Sequence, residues 1–397
     1  MSEAKSFTIR GSATQRVHGS ARSAQTLLAE AERLGATRVF LLAGRTLTET
    51  TPHVRAIEAA LGGRHAGTFT GLAAQTPADD VVAATLAAQD ARADLVVTIG
   101  GGAQTDAGKI IGLALHAGVT DRAGLFALSA RCGWDKYDVD DPAIAPGVPV
   151  ICIPTTLSGG EFNAGSGMTD EEGRKHPFLH RHSVPVSIIL DPWISMATPE
   201  WLWLSTGMRA VDHAVETLAS LRSNPYCDAL AQAALRLLAP ALRRVKAAPD
   251  DIAARSDCQS GVFLAMQPLI SGVPMGASHA IGHALGPAGN VAHGHTSCIL
   301  LPEVQRRNAP AIPHRHALIS AALDAPGAPV GDLLAALVQD LGQPSSLAEV
   351  DVPNDPDLLR HMAELAFADP WLATNPLRFT TPDEVMQLLR SVAEKSA

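Results

Sequence analysis

The chain has 397 residues, 46% apolar and 18% charged, with a formal net charge of −9. That length exceeds one ordinary core and points to two domains. The acidic balance, with no lysine–arginine stripe interleaved with aromatics, excludes a nucleic-acid partner. No apolar run reaches membrane-spanning length and residues 1–6 carry no apolar leader, so no membrane partner is expected. Cys132, Cys152, Cys227, Cys258 and Cys298 are widely spaced and form no C-x-x-C pair. They read as reduced, mostly core thiols of a cytoplasmic protein.

Up to about residue 190 the pattern alternates helix and strand. Ser23 to Leu34 is an amphipathic helix closed by Gly35, and Thr37 to Ala43 a short apolar strand ending at Gly44. A second helix runs from Pro52 to Leu61. A third opens at Thr76-Pro77, with Thr76 as N-cap and Pro77 in the first turn, and runs to about Ala91. Asp94–Ile99 is a buried strand that enters Gly100-Gly101-Gly102, and an Ala-rich helix follows from Thr105 to His116. After an irregular stretch from about Val119 to Gly147, containing Trp134 and Tyr137, come strands Val148–Ile153 and Val184–Leu190. This alternation implies a parallel sheet with helices on both faces, a Rossmann-like α/β domain over 1–190. Beyond Asp191-Pro192 only helical periodicity remains: Pro199–Ser220, Asp228–Ala247, Ile252–Leu269, His279–Leu285, Val330–Leu341 and Pro382–Lys395. An all-helical domain over 191–397 is expected, closely packed and sharing a cleft with the first.

Five stretches are candidates for chemistry. Gly100-Gly-Gly-Ala-Gln-Thr-Asp106-Ala-Gly-Lys109 sits where a strand hands over to a helix. Its glycines would let a pyrophosphate approach a helix N-terminus, although an ordinary tight turn satisfies the same pattern. The hydroxyls of Thr155, Thr156 and Ser158 follow the next strand, where they could bind a nucleotide or merely cap a turn. Arg209 and His213 share a helix face, with Asp212 about 100° round the helix and out of their reach; a surface ion pair is the plain alternative. His279, His283, His293 and His295 fall within seventeen residues. The first two are i and i+4 on a predicted helix, and the second pair sits where a loop could return to that face. The segment Arg174-Lys175-His176 to His182 reads as a solvated hairpin, or as a lid carrying cations to phosphates and carboxylates.

Together, Gly-Gly-Gly-x-x-x-Asp106, Pro154-Thr155-Thr156, Gly207-Met-x-x-x-x-His213-Ala-Val-Glu216 and His279-x-x-x-His283-x-Leu-Gly with a later His293-Gly resemble the iron-containing alcohol dehydrogenase family, from about residue 15 to 395. Phe69 to Pro77 and His293-Gly-His295-Thr resemble its maleylacetate reductase branch most. The resemblance implies a dehydroquinate-synthase-like fold, NAD(P)H as cofactor, a small carboxylated oxo or enone substrate (maleylacetate going to 3-oxoadipate in aromatic degradation) and a homodimer. It places Gly101, Gly102 and Asp106 at the cofactor loop, Thr155 and Thr156 at a second nucleotide contact, with Ser158 beside them, and Lys175 at a cofactor-facing lysine. His213, His279 and His293 match metal ligands, and His283 matches the histidine beside the nicotinamide.

Two departures shape the reading. The family's first metal ligand is an aspartate where this chain has Arg209. A guanidinium at about 5 Å from a dication costs on the order of 6–7 kcal/mol at an effective dielectric near 20. Binding of Zn or Fe is therefore disfavoured, and Arg209 is expected to supply the positive charge instead, surrounding the substrate oxygen or carboxylate with His213, His279 and His293. Arg45 stands where NAD-specific members carry an acid, so NADPH is expected to be accepted. A solvent-facing Arg45 is the other reading. Ala103 replaces the serine usual after the glycines, removing a phosphate contact. A metal-dependent alcohol dehydrogenase or aldehyde reductase, and a lyase of the dehydroquinate-synthase type, are the competing activities.

Overall fold

In a computed structural model, residues 15–394 are described except 138, 143, 145 and 146. The described residues divide into two compact units, one up to Thr198 and one from Pro199 onward.

The first unit contains strands β1 (Arg16–Gly19), β2 (Val39–Ala43), β3 (His65–Phe69), β4 (Leu95–Gly100), β5 (Val150–Pro154), β6 (Gly165–Thr169), β7 (Lys175–Leu179) and β8 (Ser187–Leu190). Its helices are α1 (Ser23–Arg33), α2 (Arg45–Thr50), α3 (His53–Leu61), α4 (Ala78–Asp90), α5 (Gly102–Ala117), α6 (Arg122–Ser129) and α7 (Pro192–Ser195). Six strands form one parallel sheet in the order β1-β8-β5-β4-β2-β3. The central strands β2, β4 and β5 are buried at every position because both faces are covered. Phe40, Leu42, Val96 and Cys152 pack with Ile110 and Ile111 of α5 on one face. Leu41, Val97, Ile99 and Ile151 pack with Leu27 and Ile57 on the other. From β2 the chain goes outward to β3, then returns to the other side of β2 as β4. The carboxyl ends of β2 and β4 thus form the switch point at which open α/β sheets bind ligands.

Several expectations change. β1 and β3 went unread, since neither is apolar throughout; β3 is half-exposed along its length. The stretch after Val119 holds α6, capped by Asp121, whose carboxylate accepts the Gly124 N–H at 2.8 Å. Thr76 is not an N-cap. It lies in the left-handed region with Gln75 (φ 58° and 67°), so the helix starts at Ala78 with Pro77 as its cap. The Thr76 carbonyl instead accepts the Thr169 N–H at 3.0 Å. The basic segment forms the second strand of a two-stranded hairpin, β6–β7. All five cysteines are free and buried.

The second unit is helical: α8 (Glu200–Ala219), α9 (Pro225–Ala247), α10 (Ile252–Ile270), α11 (Ala277–Gly289), α12 (His293–Asn308), α13 (Pro313–Ala322), α14 (Val330–Asp340), α15 (Pro356–Phe367) and α16 (Pro382–Ser391). From Trp203 to Ala219, α8 is buried almost all round, with α9, α10, α12 and α13 against it. Gly294 sets the α12–α8 approach, because a Cβ there would lie 2.5 Å from the Ser205 carbonyl carbon. No helix among the described residues is long and apolar enough to cross a membrane.

Candidate functional site

The first unit gathers its predicted residues at the ends of β4 and β5. The chain leaves β4 straight into α5, which starts at Gly102, three residues before the expected Thr105. Gly101 caps it, its N–H donating to Gln104 Oε1 at 3.2 Å. A Cβ on Gly101 would lie 3.1 Å from Thr156 Cγ2, and one on Gly102 3.6 Å from Ser158 Oγ. The glycines thus leave an open lip between the two strand ends, at a helix N-terminus whose free N–H groups and dipole suit a phosphate. Thr155 is tied to the lip by its N–H to the Gly100 carbonyl (2.9 Å), and Ala103 contributes a carbonyl that accepts Thr76 Oγ1 at 3.4 Å. This cradle fits a dinucleotide.

Around the lip, Asp106 accepts the Gly167 N–H of the hairpin at 3.2 Å. Lys175 donates to the Gln75 carbonyl at 3.2 Å, and burial pulls its amine down while Asp106 pulls it up. Lys109, fully buried, donates to the carbonyls of Gly160 (2.7 Å), Asn163 (3.2 Å) and Gly165. It fixes the loop carrying the second set of hydroxyls, a structural use that the sequence did not reveal. Arg45 is exposed at the first residue of α2, directly after Gly44, whose N–H donates to Ile99 at 2.9 Å. It therefore stands at the switch point.

The second unit brings Arg209, His213, His279, His283 and His293 together from α8, α11 and α12. His213 and His279 are buried, their rings 4.5 Å apart. His283 and His293 are exposed and stack at 5.9 Å with planes 8° apart. His293 and His295 belong to the first turn of α12, not to a returning loop; the Gly294 contact with α8 anchors them. His295 stands aside, against Trp201 at 5.5 Å.

Beneath the imidazoles lies a network only partly legible in the sequence. His279 Nδ1 lies 2.8 Å from Glu216 Oε2, and Glu216 also accepts the N–H groups of Gly276 (2.7 Å) and Ser278 (2.8 Å). A saturated carboxylate of this kind accepts the Nδ1 proton and leaves His279 Nε2 with its lone pair. Asp212, set aside by the helical offset, is fully buried and accepts Ser278 Oγ (2.7 Å) and Ser297 Oγ (2.6 Å). Its side of α8 faces α11 and α12, so the offset that separates it from Arg209 joins it to their serines. Arg209 is 5% exposed and donates from Nη1 to Ser297 Oγ at 3.3 Å. The buried guanidinium thus reaches Asp212 through one hydroxyl. So buried, it offers a fixed charge rather than an open fork.

Burial and Glu216 push the Asp212 carboxyl up, burial pushes Glu216 up, and Arg209 pulls both back. Burial first holds His213 and His279 far below the usual imidazole range, reinforced at His213 by His279 and then Arg209 and at His279 by Arg209; for His293 Arg209 is the first cause. All three rings are neutral near pH 7.

A divalent ion fits this set poorly. Among the described residues, only Asp212, Glu216 and His279 have donor atoms all within 4.8 Å of one another. The Glu216 oxygens are already taken up, and a guanidinium lies alongside. His213, His279 and His293 do not meet that spacing. Asp369 and Trp371 complete the surroundings: Asp369 Oδ2 lies 2.8 Å from His283 Nδ1, and the Trp371 ring sits 5.1 Å from His283 and 5.9 Å from His279. No spacing pattern links residues 86 positions apart, so neither could be found from the chain's order alone.

The comparisons agree with this architecture. An iron-containing alcohol dehydrogenase model matches residues 14–192, and an Fe-containing alcohol dehydrogenase C-terminal model matches 203–393. The chain is 33% identical over 395 residues to Dehydrogenase ALT3 of Alternaria alternata, covering 90% of this chain and 99% of that protein. It is 31% identical to Maleylacetate reductase 1 of Rhodococcus opacus over 98% and 96% of the two chains. The crystal structure of maleylacetate reductase from Agrobacterium tumefaciens superposes with a TM-score of 0.80 at 28% identity, over 98% and 99% of the chains. With a dinucleotide cradle on one unit and neutral imidazoles over a buried cation on the other, the chain belongs to the iron-containing alcohol dehydrogenase family, near its maleylacetate reductase branch, and is an NAD(P)-dependent oxidoreductase.

Proposed function

We propose that this enzyme reduces a small carboxylated enone or oxo acid of the maleylacetate type, using NADPH or NADH and no metal ion. The observation that carries the proposal is Arg209, a buried cation held by Ser297 and, through it, by Asp212. It stands where metal-dependent relatives are expected to carry an aspartate ligand. A fixed positive charge in a dry site stabilises negative charge developing on a substrate oxygen without the reorganisation that water would need. The neutral His213, His279 and His293 can donate or accept hydrogen bonds to an oxyanion or carboxylate without adding charge of their own.

Bound NAD(P)H supplies the hydride. The chain's part is to hold the diphosphate at Gly101, Gly102 and the hydroxyls of Thr155, Thr156 and Ser158. The exposed Arg45 at the switch point favours a 2′-phosphate, so NADPH is the expected donor.

A metal-dependent alcohol dehydrogenase is the second reading, because His213 Nδ1 and His279 Nε2 are buried without hydrogen-bond partners. The two are separated by following NADPH and NADH oxidation with 2-oxo, 4-oxo and maleylacetate-type acids and with uncharged aldehydes. Each assay is run with chelator and with added Zn²⁺ or Fe²⁺, alongside elemental analysis. Turnover of the enone diacid that chelator leaves unchanged supports the proposal. Turnover of aldehydes alone, dependent on added metal, overturns it.

A further inference from the structure

We infer that Asp369 is a positioning residue for this oxidoreductase: it fixes the His283 imidazole with its proton on Nδ1 and its lone pair on Nε2. The inference rests on the reading that His283 serves the reduction. Both Asp369 oxygens are committed. Oδ2 lies 2.8 Å from His283 Nδ1, and Oδ1 accepts the Trp371 backbone N–H at 2.8 Å. The Asp369 carbonyl also accepts the Leu372 N–H at 3.1 Å, so the carboxylate belongs to a closed turn rather than a free side chain. Its side chain is 16% exposed, against 37% for His283, so the pair is shielded at the carboxylate and open at the imidazole.

An ionised carboxylate is acceptor-only, so the nitrogen facing it must carry the hydrogen. A neutral imidazole has one such hydrogen, which leaves Nε2 as an acceptor. Rotating the ring by 180° would place a carbon against Asp369 and forfeit a charge-assisted bond. The Trp371 ring at 5.1 Å, tilted 36°, and the His293 ring at 5.9 Å, nearly parallel, confine the plane in which the imidazole sits. Asp369 thus does for exposed His283 what Glu216 does for buried His279. Trp371 serves both sides, since its N–H holds the carboxylate and its ring flanks both histidines.

The test uses Asp369→Asn and Asp369→Ala in the full-length enzyme, with His283→Gln and the His283→Gln/Asp369→Asn pair. Asparagine keeps the shape and can turn an N–H toward the ring, which would move the imidazole proton to Nε2. Long-range ¹H–¹⁵N spectra, with His283 assigned by its loss in His283→Gln, should show Nδ1–H in the wild type and a shift toward Nε2–H in Asp369→Asn. In NADPH oxidation with the enone diacid, kcat should fall about 10- to 100-fold in Asp369→Asn and in Asp369→Ala, with KM changed far less. The double variant should be no slower than His283→Gln. Asp369→Glu should restore part of kcat. An Nε2–H tautomer in the wild type, kcat within twofold of wild type in Asp369→Asn, or additive losses in the double variant would each overturn the inference. If no carboxylated acid is reduced, the substrate reading fails on its own, and the tautomer measurement still decides this one.

Discussion

Replacing Arg209 by methionine tests whether the guanidinium is the counter-charge of the buried network. Methionine keeps much of the volume and removes the charge, leaving Asp212 and Glu216 buried with no cation. Arg209 Nη1 is 3.3 Å from Ser297 Oγ, which is 2.6 Å from Asp212 Oδ2. At about 6 Å and an effective dielectric near 20, that single attraction is about 3 kcal/mol. Breaking a buried pair on one side typically costs about 3–5 kcal/mol, so a loss near 3 kcal/mol is expected, read as a fall in Tm of roughly 6–12 °C for a unit of this size. Its pH dependence is the sharper check. Both carboxyls are raised above their unfolded values by burial. Above about pH 4, the ordinary carboxylate range, the folded state therefore binds more protons than the unfolded one, and the stability these groups leave falls as pH rises. Arg209 opposes that fall, so the methionine variant should lose more at about pH 8 than at about pH 5. Urea denaturation at the two pH values measures it. A deficit below about 1 kcal/mol, or one equal at both, would refute the pairing.

Two further substitutions probe the separate units. Arg45→Glu places a carboxylate at the exposed switch-point position, so kcat/KM for NADPH should fall about tenfold or more relative to NADH. Stability should stay within about 0.5 kcal/mol, and an unchanged coenzyme ratio would assign Arg45 to solvent. Gly294→Ala drives a methyl into the Ser205 backbone, 2.5 Å away, so α12 must back off from α8. A destabilisation of about 1–3 kcal/mol is expected together with lower kcat, because His293 begins the same turn; wild-type melting and turnover would show that the contact relaxes freely.

The sequence determined whatever rests on local repetition. Apolar runs at Val39–Ala43, Leu95–Gly100 and Val150–Pro154 announce strands buried on both faces, and the 3.6-residue period after residue 199 announces helices. The glycines after β4, the hydroxyls after β5 and the i, i+4 histidines of α11 were legible because each set is contiguous in the chain. Even Arg209 was found by its place in a motif.

Tertiary structure alone decided what those groups touch. Asp212 was discounted from helix geometry, which tells which residues share a face but not what packs on the other faces. Ser278 and Ser297 arrive from α11 and α12 to satisfy it. Glu216 lay in view within a motif, yet its part in fixing His279 depends on where α11 begins. Asp369 and Trp371 follow α15, far from His283 in sequence, and become its partners only when that turn closes. A side chain's direction along one helix is set by local covalent geometry; its partners are set by the packing of helices that the sequence leaves many residues apart.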